Sequence, residues 1–195
     1  GRFGICTNVE MGDVNGDGFL DTVGDWNGFR WFCLNDGTGG FFPGHEYSVS
    51  DRQGRGNRLG DLDGDSDLDL VDLNINGSDV GVCLNNGSLP FDFSESVCTY
   101  TNTFDGLSLA DMNGDGSLDL WVGADRTSRI FTNNGSAHFT LSQTIADGAT
   151  NGLAGILTDL NGDGSVDAWR LSPVDLHTRI WTNNGSVVWT AYKAR

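Results

Sequence analysis

The chain repeats itself four times, and this constrains its fold more than any other feature. The stretches Asp13–Asp21 (DVNGDGFLD), Asp61–Asp69 (DLDGDSDLD), Asp111–Asp119 (DMNGDGSLD) and Asp159–Asp167 (DLNGDGSVD) begin 48, 50 and 48 residues apart. A second signature, NDGT at Asn35–Thr38 and NNGS at Asn85–Ser88, Asn133–Ser136 and Asn183–Ser186, recurs at intervals of 50, 48 and 50. Two columns holding one period divide the 195 residues into copies of about 49, with little left over. A unit of that size cannot bury its apolar face alone, so the copies must stack on one another.

Within each copy the apolar residues come in short runs bounded by Gly, Asn and Asp, which is strand patterning. Met11, Leu59, Leu109 and Leu157 precede the acidic loops; Leu20, Leu68, Leu118 and Val166 close them; Val23, Val71, Trp121 and Trp169 follow. Phe32, Val82, Ile130 and Ile180 lead into the Asn-Gly turns, and Phe41, Phe91, Phe139 and Trp189 lie six residues past each turn's first Asn. Asn-Gly between two strands is a hairpin signal, and no segment sustains a helical period. The expected fold is all-β: a β-propeller of four four-stranded antiparallel blades, over about 1–50, 51–99, 100–148 and 149–195, in a single repeat domain. Four blades either close alone or form part of a larger propeller or assembly.

The loops place side-chain oxygens at positions 1, 3, 5 and 9 of D-x-[ND]-G-D-[GS]-x-[LV]-D, with a backbone carbonyl expected at position 7. Calcium takes 6 to 8 oxygen ligands, and carboxylates clustered this closely repel one another without a cation. The expected ligands are Asp13, Asn15, Asp17, Phe19 (carbonyl) and Asp21; Asp61, Asp63, Asp65, Asp67 (carbonyl) and Asp69; Asp111, Asn113, Asp115, Ser117 (carbonyl) and Asp119; and Asp159, Asn161, Asp163, Ser165 (carbonyl) and Asp167. An EF-hand is excluded, because position 12 is Gly24, Asp72, Val122 or Arg170 and never Glu. About four Ca²⁺ are expected, acting as scaffold.

This loop, in a β unit of about 49 residues followed by an N-[ND]-G-[ST] turn and an aromatic, resembles the FG-GAP/VCBS repeat family, the calcium-bearing blades of integrin α-subunit-like β-propellers. The second copy departs from the pattern, with Ser66 in place of Gly at position 6 and Asp67 as an extra carboxylate. The resemblance implies an extracellular, calcium-stabilised, non-catalytic module for recognition or adhesion, with glycans or extracellular proteins as ligands. The alternatives are a structural repeat subunit of an extracellular assembly or filament, self-assembling, and an accessory domain of a secreted hydrolase.

Composition agrees. The formal charge is −16, from 27 acidic and 11 basic side chains, which excludes nucleic acid as a partner. Fourteen of the acidic residues lie in the four loops, so four Ca²⁺ would leave about −8, ordinary for a soluble domain. No run of about 20 apolar residues is present to span a bilayer as a helix. Cys6, Cys33, Cys83 and Cys98 lack zinc-site spacing and suggest two disulfides in an oxidising compartment; of three possible pairings, Cys6–Cys33 with Cys83–Cys98 is favoured, against four buried thiols. The chain begins at Gly1, and a mature or excised segment is expected. Asn76, Asn86, Asn134 and Asn184 open N-x-S sequons, though Asn-Gly-Ser is also good turn chemistry.

No nucleophile elbow, phosphate loop or histidine metal motif occurs, so an enzyme is not expected. Of six tryptophans, Trp121, Trp169, Trp181 and Trp189 fall in core columns. Trp26 and Trp31, with Arg30 between them in sequence, are the candidate ligand-binding surface.

Overall fold

The computed structural model describes residues 6–26, 29–46, 54–74, 78–87, 89, 91–100, 104–124, 127–146, 155–171 and 178–193. Every regular element among them is a strand. The first sheet is β1 (Cys6–Gly12), β2 (Asp21–Trp26), β3 (Phe29–Asn35) and β4 (Phe41–Glu46); the second is β5 (Gly54–Gly60), β6 (Asp69–Asn74), β7 (Asp79–Leu84) and β8 (Asp92–Thr99). The third is β9 (Phe104–Ala110), β10 (Asp119–Ala124), β11 (Thr127–Asn133) and β12 (Phe139–Ala146); the fourth is β13 (Ile156–Thr158), β14 (Asp167–Leu171), β15 (Thr178–Asn183) and β16 (Trp189–Lys193). Each is a four-stranded antiparallel meander in chain order, as the repeat predicts.

The four sheets share one register. The residue before each acidic loop pairs with the loop's last Asp: Gly12 with Asp21, Gly60 with Asp69, Ala110 with Asp119 and Thr158 with Asp167. The central strands then pair Val23 with Phe32, Val71 with Val82, Trp121 with Ile130 and Trp169 with Ile180. Directly opposed residues share a sheet face, so these pairs define one face of each sheet, here the rear. Neighbouring pairs such as Leu70 with Cys83 define the front.

The chain divides into two compact units, Gly1–Thr99 and Tyr100–Arg195. In the first unit, the rear face of sheet one packs on the front face of sheet two. Val14, Val23 and Phe32 meet Leu70, Cys83 and Phe91 in one core, and Leu59 packs against it. The approach is close: a Cβ on Gly12 would collide with Leu68. The second unit repeats the arrangement. Met112, Trp121 and Ile130 from sheet three meet Ala168, Trp181, Val187 and Trp189 from sheet four. Trp121 lies 5.0 Å from Trp189, edge to face, and 5.9 Å from Trp181. The volume Trp121 adds is matched by Ala168, which stands where the first unit has Leu70. Val187 holds a left-handed backbone (φ 56°), unfavourable for a β-branched residue, with its side chain buried in this core.

Each unit also buries one polar link between its sheets. Arg30 pairs with Asp72 at 3.1 Å, both nearly inaccessible. At the equivalent position Arg170 donates to Ser128 Oγ at 3.4 Å. The arginine comes from the earlier sheet in one unit and from the later sheet in the other.

Candidate metal centres

The four acidic loops fold alike because each aspartate or asparagine caps the backbone ahead of it. The position 1 carboxylate curls the loop: Asp13 Oδ2 accepts from Gly18 N at 2.7 Å, Asp61 Oδ2 from Ser66 N at 3.0 Å, and Asp111 and Asp159 Oδ2 from Gly116 and Gly164 N at 2.9 Å. Position 3 accepts from the N–H of position 5, and position 5 from the N–H of position 7, as in Asn113 to Asp115 (2.9 Å) and Asp115 to Ser117 (2.8 Å). Positions 4 and 6 are left-handed, Gly114 at φ 79° and Gly116 at φ 91° in the third loop. In the second loop the left-handed position 6 falls on Ser66, at φ 78°.

The position 9 aspartates are placed differently from the other expected ligands. Asp21, Asp69, Asp119 and Asp167 are wholly buried. Each accepts two backbone N–H bonds, one from loop position 2 and one from the first Asn of the following turn. For Asp69 these come from Leu62 and Asn85, both at 2.8 Å; for Asp119 from Met112 and Asn133, both at 2.9 Å. Asp21 takes Val14 (3.1 Å) and Asn35 (2.8 Å), and Asp167 takes Leu160 (3.0 Å) and Asn183 (2.9 Å). Burial raises the Asp69 carboxyl to about 6 against the pull of those bonds, and raises Asp119 too. These carboxylates are struts between loop and turn, whatever else they bind.

The loop and the Asn-Gly turn are therefore one assembly. The position 7 side chain also lies over the turn's glycine: a Cβ on Gly37 would stand 2.5 Å from the Phe19 ring, and one on Gly87 3.1 Å from Asp67 Oδ2. The constant phase between the two signatures in the sequence is the trace of this coupling.

The second loop is the most cation-ready. One oxygen each from Asp61, Asp63 and Asp65 lies within 4.8 Å of the others. Burial first, and then the charge of Asp65, raises the Asp63 carboxyl. In the other loops position 3 is Asn, whose amide donates to the position 5 carboxylate: Asn15 to Asp17 at 2.9 Å, Asn113 to Asp115 at 2.8 Å and Asn161 to Asp163 at 2.9 Å. Bonds from backbone N–H groups and that amide hold Asp115 and Asp163 below the usual carboxylate range, and backbone N–H groups do so for Asp159. Hard oxygens on a curled, exposed loop fit calcium's donor preference.

Other expected sites are placed as follows. Arg30 is a correction: it is 2% exposed and committed to Asp72, so it offers no surface for a ligand. Trp31 is half-buried, and the side chain of Trp26 lies outside the described residues. The favoured disulfides are also corrected. Cys98 pairs with Val80 and Cys83 with Phe93, so the two cysteines stand about 10 Å apart along their strands, beyond disulfide reach. Cys6 opposes Trp26 on β2 while Cys33 opposes Thr22 from the other side, so a whole strand separates them. Cys33, Cys83 and Cys98 are thiols in this structure. Asn86, Asn134 and Asn184 are exposed at turns, the last two accepting from the serine N–H two residues on; Asn76 lies outside the described residues.

Meander sheets with an aspartate-capped loop between their first two strands define an all-β repeat protein. Residues 61–122 and 111–169 match the model of the FG-GAP-like repeat, together more than half of the chain, and the chain belongs to that family. No curated protein matches it by sequence. Among solved structures it is similar to an Agrocybe aegerita lectin, described as recognising non-reducing terminal N-acetylglucosamine, with 22% identity and a TM-score of 0.66; the match covers 94% of this chain and 50% of that one. It is also similar to the V. cholerae biofilm matrix protein Bap1, with 18% identity and a TM-score of 0.56, covering 98% of this chain and 31% of that one. The chain thus spans half the length of the lectin and about a third of the matrix protein. Among the described residues no helix is long and apolar enough to cross a membrane.

Proposed function

We propose that the chain is an extracellular, non-catalytic recognition module whose blades are stabilised by calcium and whose ligand is a glycan. The observation that carries the metal is the second loop, where three carboxylate oxygens converge within 4.8 Å on an exposed, glycine-curled segment. The other loops present the same backbone, and position 1 and 5 carboxylates in the same places, so about four Ca²⁺ are expected. A bound cation would relieve the repulsion among these carboxylates and stabilise the native loops by mass action. The glycan reading is supported by likeness of fold to a lectin described as recognising a terminal sugar, and the wider extracellular reading by likeness of fold to a biofilm matrix protein.

A glycan array probed in calcium and again in excess chelator tests this reading. Binding to terminal N-acetylhexosamine glycans that disappears with chelator is the expected result. Absence of glycan binding by a calcium-loaded, folded chain would refute the glycan part. Calorimetry showing no calcium uptake would refute the metal part separately.

A further inference from the structure

In an Asn-Gly pair the glycine backbone N can attack the asparagine Cγ, because glycine carries no side chain to shield its own nitrogen. Both reacting atoms belong to one turn, so the local fold decides the rate. Two of the four turns carry an identical stretch, Thr-Asn-Asn-Gly-Ser at 132–136 and at 182–186. Intrinsic reactivity is thus matched at Asn134 and Asn184, and only the fold separates them.

The electrophile is alike in both turns. Asn134 and Asn184 are exposed, and each Oδ1 accepts from the serine N–H two residues on, at 3.0 and 3.1 Å. That bond polarises the amide carbonyl and faces the oxygen on which charge develops when Cγ is attacked. The nucleophile differs. In turn three the Gly135 N–H donates to Asn133 Oδ1 at 3.1 Å, as Gly37 donates to Asn35 Oδ1 at 3.0 Å in turn one. Asn133 and Asn35 can cap their glycines because their amides bond the Leu118 and Leu20 carbonyls of their own sheets. In turn four Asn183 instead sends Nδ2 to the Met112 carbonyl of the neighbouring sheet at 2.6 Å, and its buried Oδ1 accepts no bond. The Gly185 N–H lacks the acceptor that holds Gly135. The acidic loops show the opposite extreme. The glycines of their Asn-Gly pairs at 113–114 and 161–162 donate to Asp111 and Asp159 Oδ1 at 2.7 Å, and a carboxylate beside the N–H disfavours the amide anion that attacks.

We infer that Asn184 is a site of spontaneous deamidation, selected by the reach of Asn183 to the neighbouring sheet. The Gly185 N gives up its proton and bonds to Asn184 Cγ; the Cγ–Nδ2 bond breaks, and ammonia leaves with that proton. Water then opens the resulting succinimide at one of its two carbonyls, giving aspartate or isoaspartate. One water is consumed and one ammonia released, with no change of oxidation state. The aspartate product reproduces turn one, where Asp36 Oδ1 accepts from Thr38 N and Thr38 Oγ1 at 2.8 Å and from Gly40 N at 3.0 Å, so the hairpin accommodates it. It adds a carboxylate to the turn that overlies the fourth loop, where a Cβ on Gly185 would stand 3.2 Å from Ser165 Oγ. Isoaspartate instead adds a methylene to the main chain at the same point. The inference is independent of the metal and of the glycan.

The test incubates the folded chain in mildly alkaline buffer and follows each asparagine by peptide mass spectrometry, through the mass gain of amide-to-acid exchange localised by fragmentation. The chain is produced in a host that does not glycosylate N-x-S, so Nδ2 is free to leave. The same incubation in guanidinium chloride gives the rate of each site without the fold, and the ratio of folded to unfolded rate is the readout. The ratio at Asn184 is expected to exceed that at Asn134 several-fold, with Asn113 and Asn161 no higher than Asn134. Equal ratios at Asn134 and Asn184, a higher one at Asn134, or an Asn184 that stays intact in the folded chain would overturn the proposal. Asn133→Ala removes the cap on Gly135 and should raise the Asn134 ratio to that of Asn184; an unchanged ratio in the folded variant would overturn the cap as the cause. If that variant fails to fold, the wild-type ratios alone decide.

Discussion

Asn85 reaches back 71 residues to donate its side-chain amide to the carbonyl oxygen of Val14, 2.9 Å away and out of water. The same amide reaches the Leu68 carbonyl of its own sheet at 3.2 Å, and its backbone N–H bonds the buried Asp69. One side chain therefore joins loop, turn and neighbouring sheet. Asn183 repeats the reach over an equal separation to Met112.

Replacing Asn85 or Asn183 with Ala should leave a buried carbonyl without its donor and cost about 1–3 kcal/mol. Asn35→Ala should cost less, because its bond is exposed and stays within one sheet. Urea unfolding of the three variants checks the ranking. Equal losses at all three positions would show that the reach between sheets contributes nothing.

The position 9 aspartates yield a prediction that separates strut from ligand. Asp119→Ala strands the N–H groups of Met112 and Asn133 in the interior, at about 1–3 kcal/mol each. The loss should persist in excess chelator. Asp111→Ala, at the half-buried start of the same loop, should instead lower calcium stoichiometry by one. Calorimetric titration and melts with and without chelator distinguish them. A destabilisation by Asp119→Ala that vanishes in chelator would contradict the strut.

Ser66 occupies a left-handed backbone that glycine fills in the other three loops. Ser66→Gly should remove a steric cost of about 1 kcal/mol, less what glycine adds to the entropy of the unfolded chain. A small rise in melting temperature is expected. A fall would mean that the Ser66 side chain contributes more than its backbone costs.

Four sheets, their strand order and their core columns were legible because the period is carried twice and the apolar positions keep phase with it. Phe32, Val82 and Ile130 sit in the core as their column predicts. Column membership does not reveal whether a neighbour covers the face, so Met11, Leu20, Phe41 and Leu160 carry core residue types and are exposed. The strut role of the position 9 aspartate was hidden because its donors are backbone N–H groups, which have no signature of their own. Arg30 reads as a surface charge until the strand register sets it against Asp72. The cysteines mislead for a related reason: spacing along the chain reports neither the offset of two thiols along paired strands, as for Cys83 and Cys98, nor a strand between them, as for Cys6 and Cys33.

The raised Asp69 carboxyl fixes the sign of a pH effect. Burial lifts it from 3.8 to about 6, so the folded chain holds a proton that the unfolded chain has already released. Between about pH 4 and pH 6 Asp69 is more protonated in the folded state than in the unfolded one, so its contribution to stability falls as pH rises through that window. The contribution is on the order of 2–3 kcal/mol, and Asp119 adds to it in the same direction. In the chelated protein the melting temperature should therefore decline from pH 4 to pH 6. If calcium binds these loops as proposed, it competes with the proton, and under saturating calcium the decline should flatten or reverse. Asp69→Asn in chelator should abolish most of the dependence. A melting temperature that rises over this range in chelator would show that Asp69 is ionised in the fold and that its two N–H donors outweigh its burial.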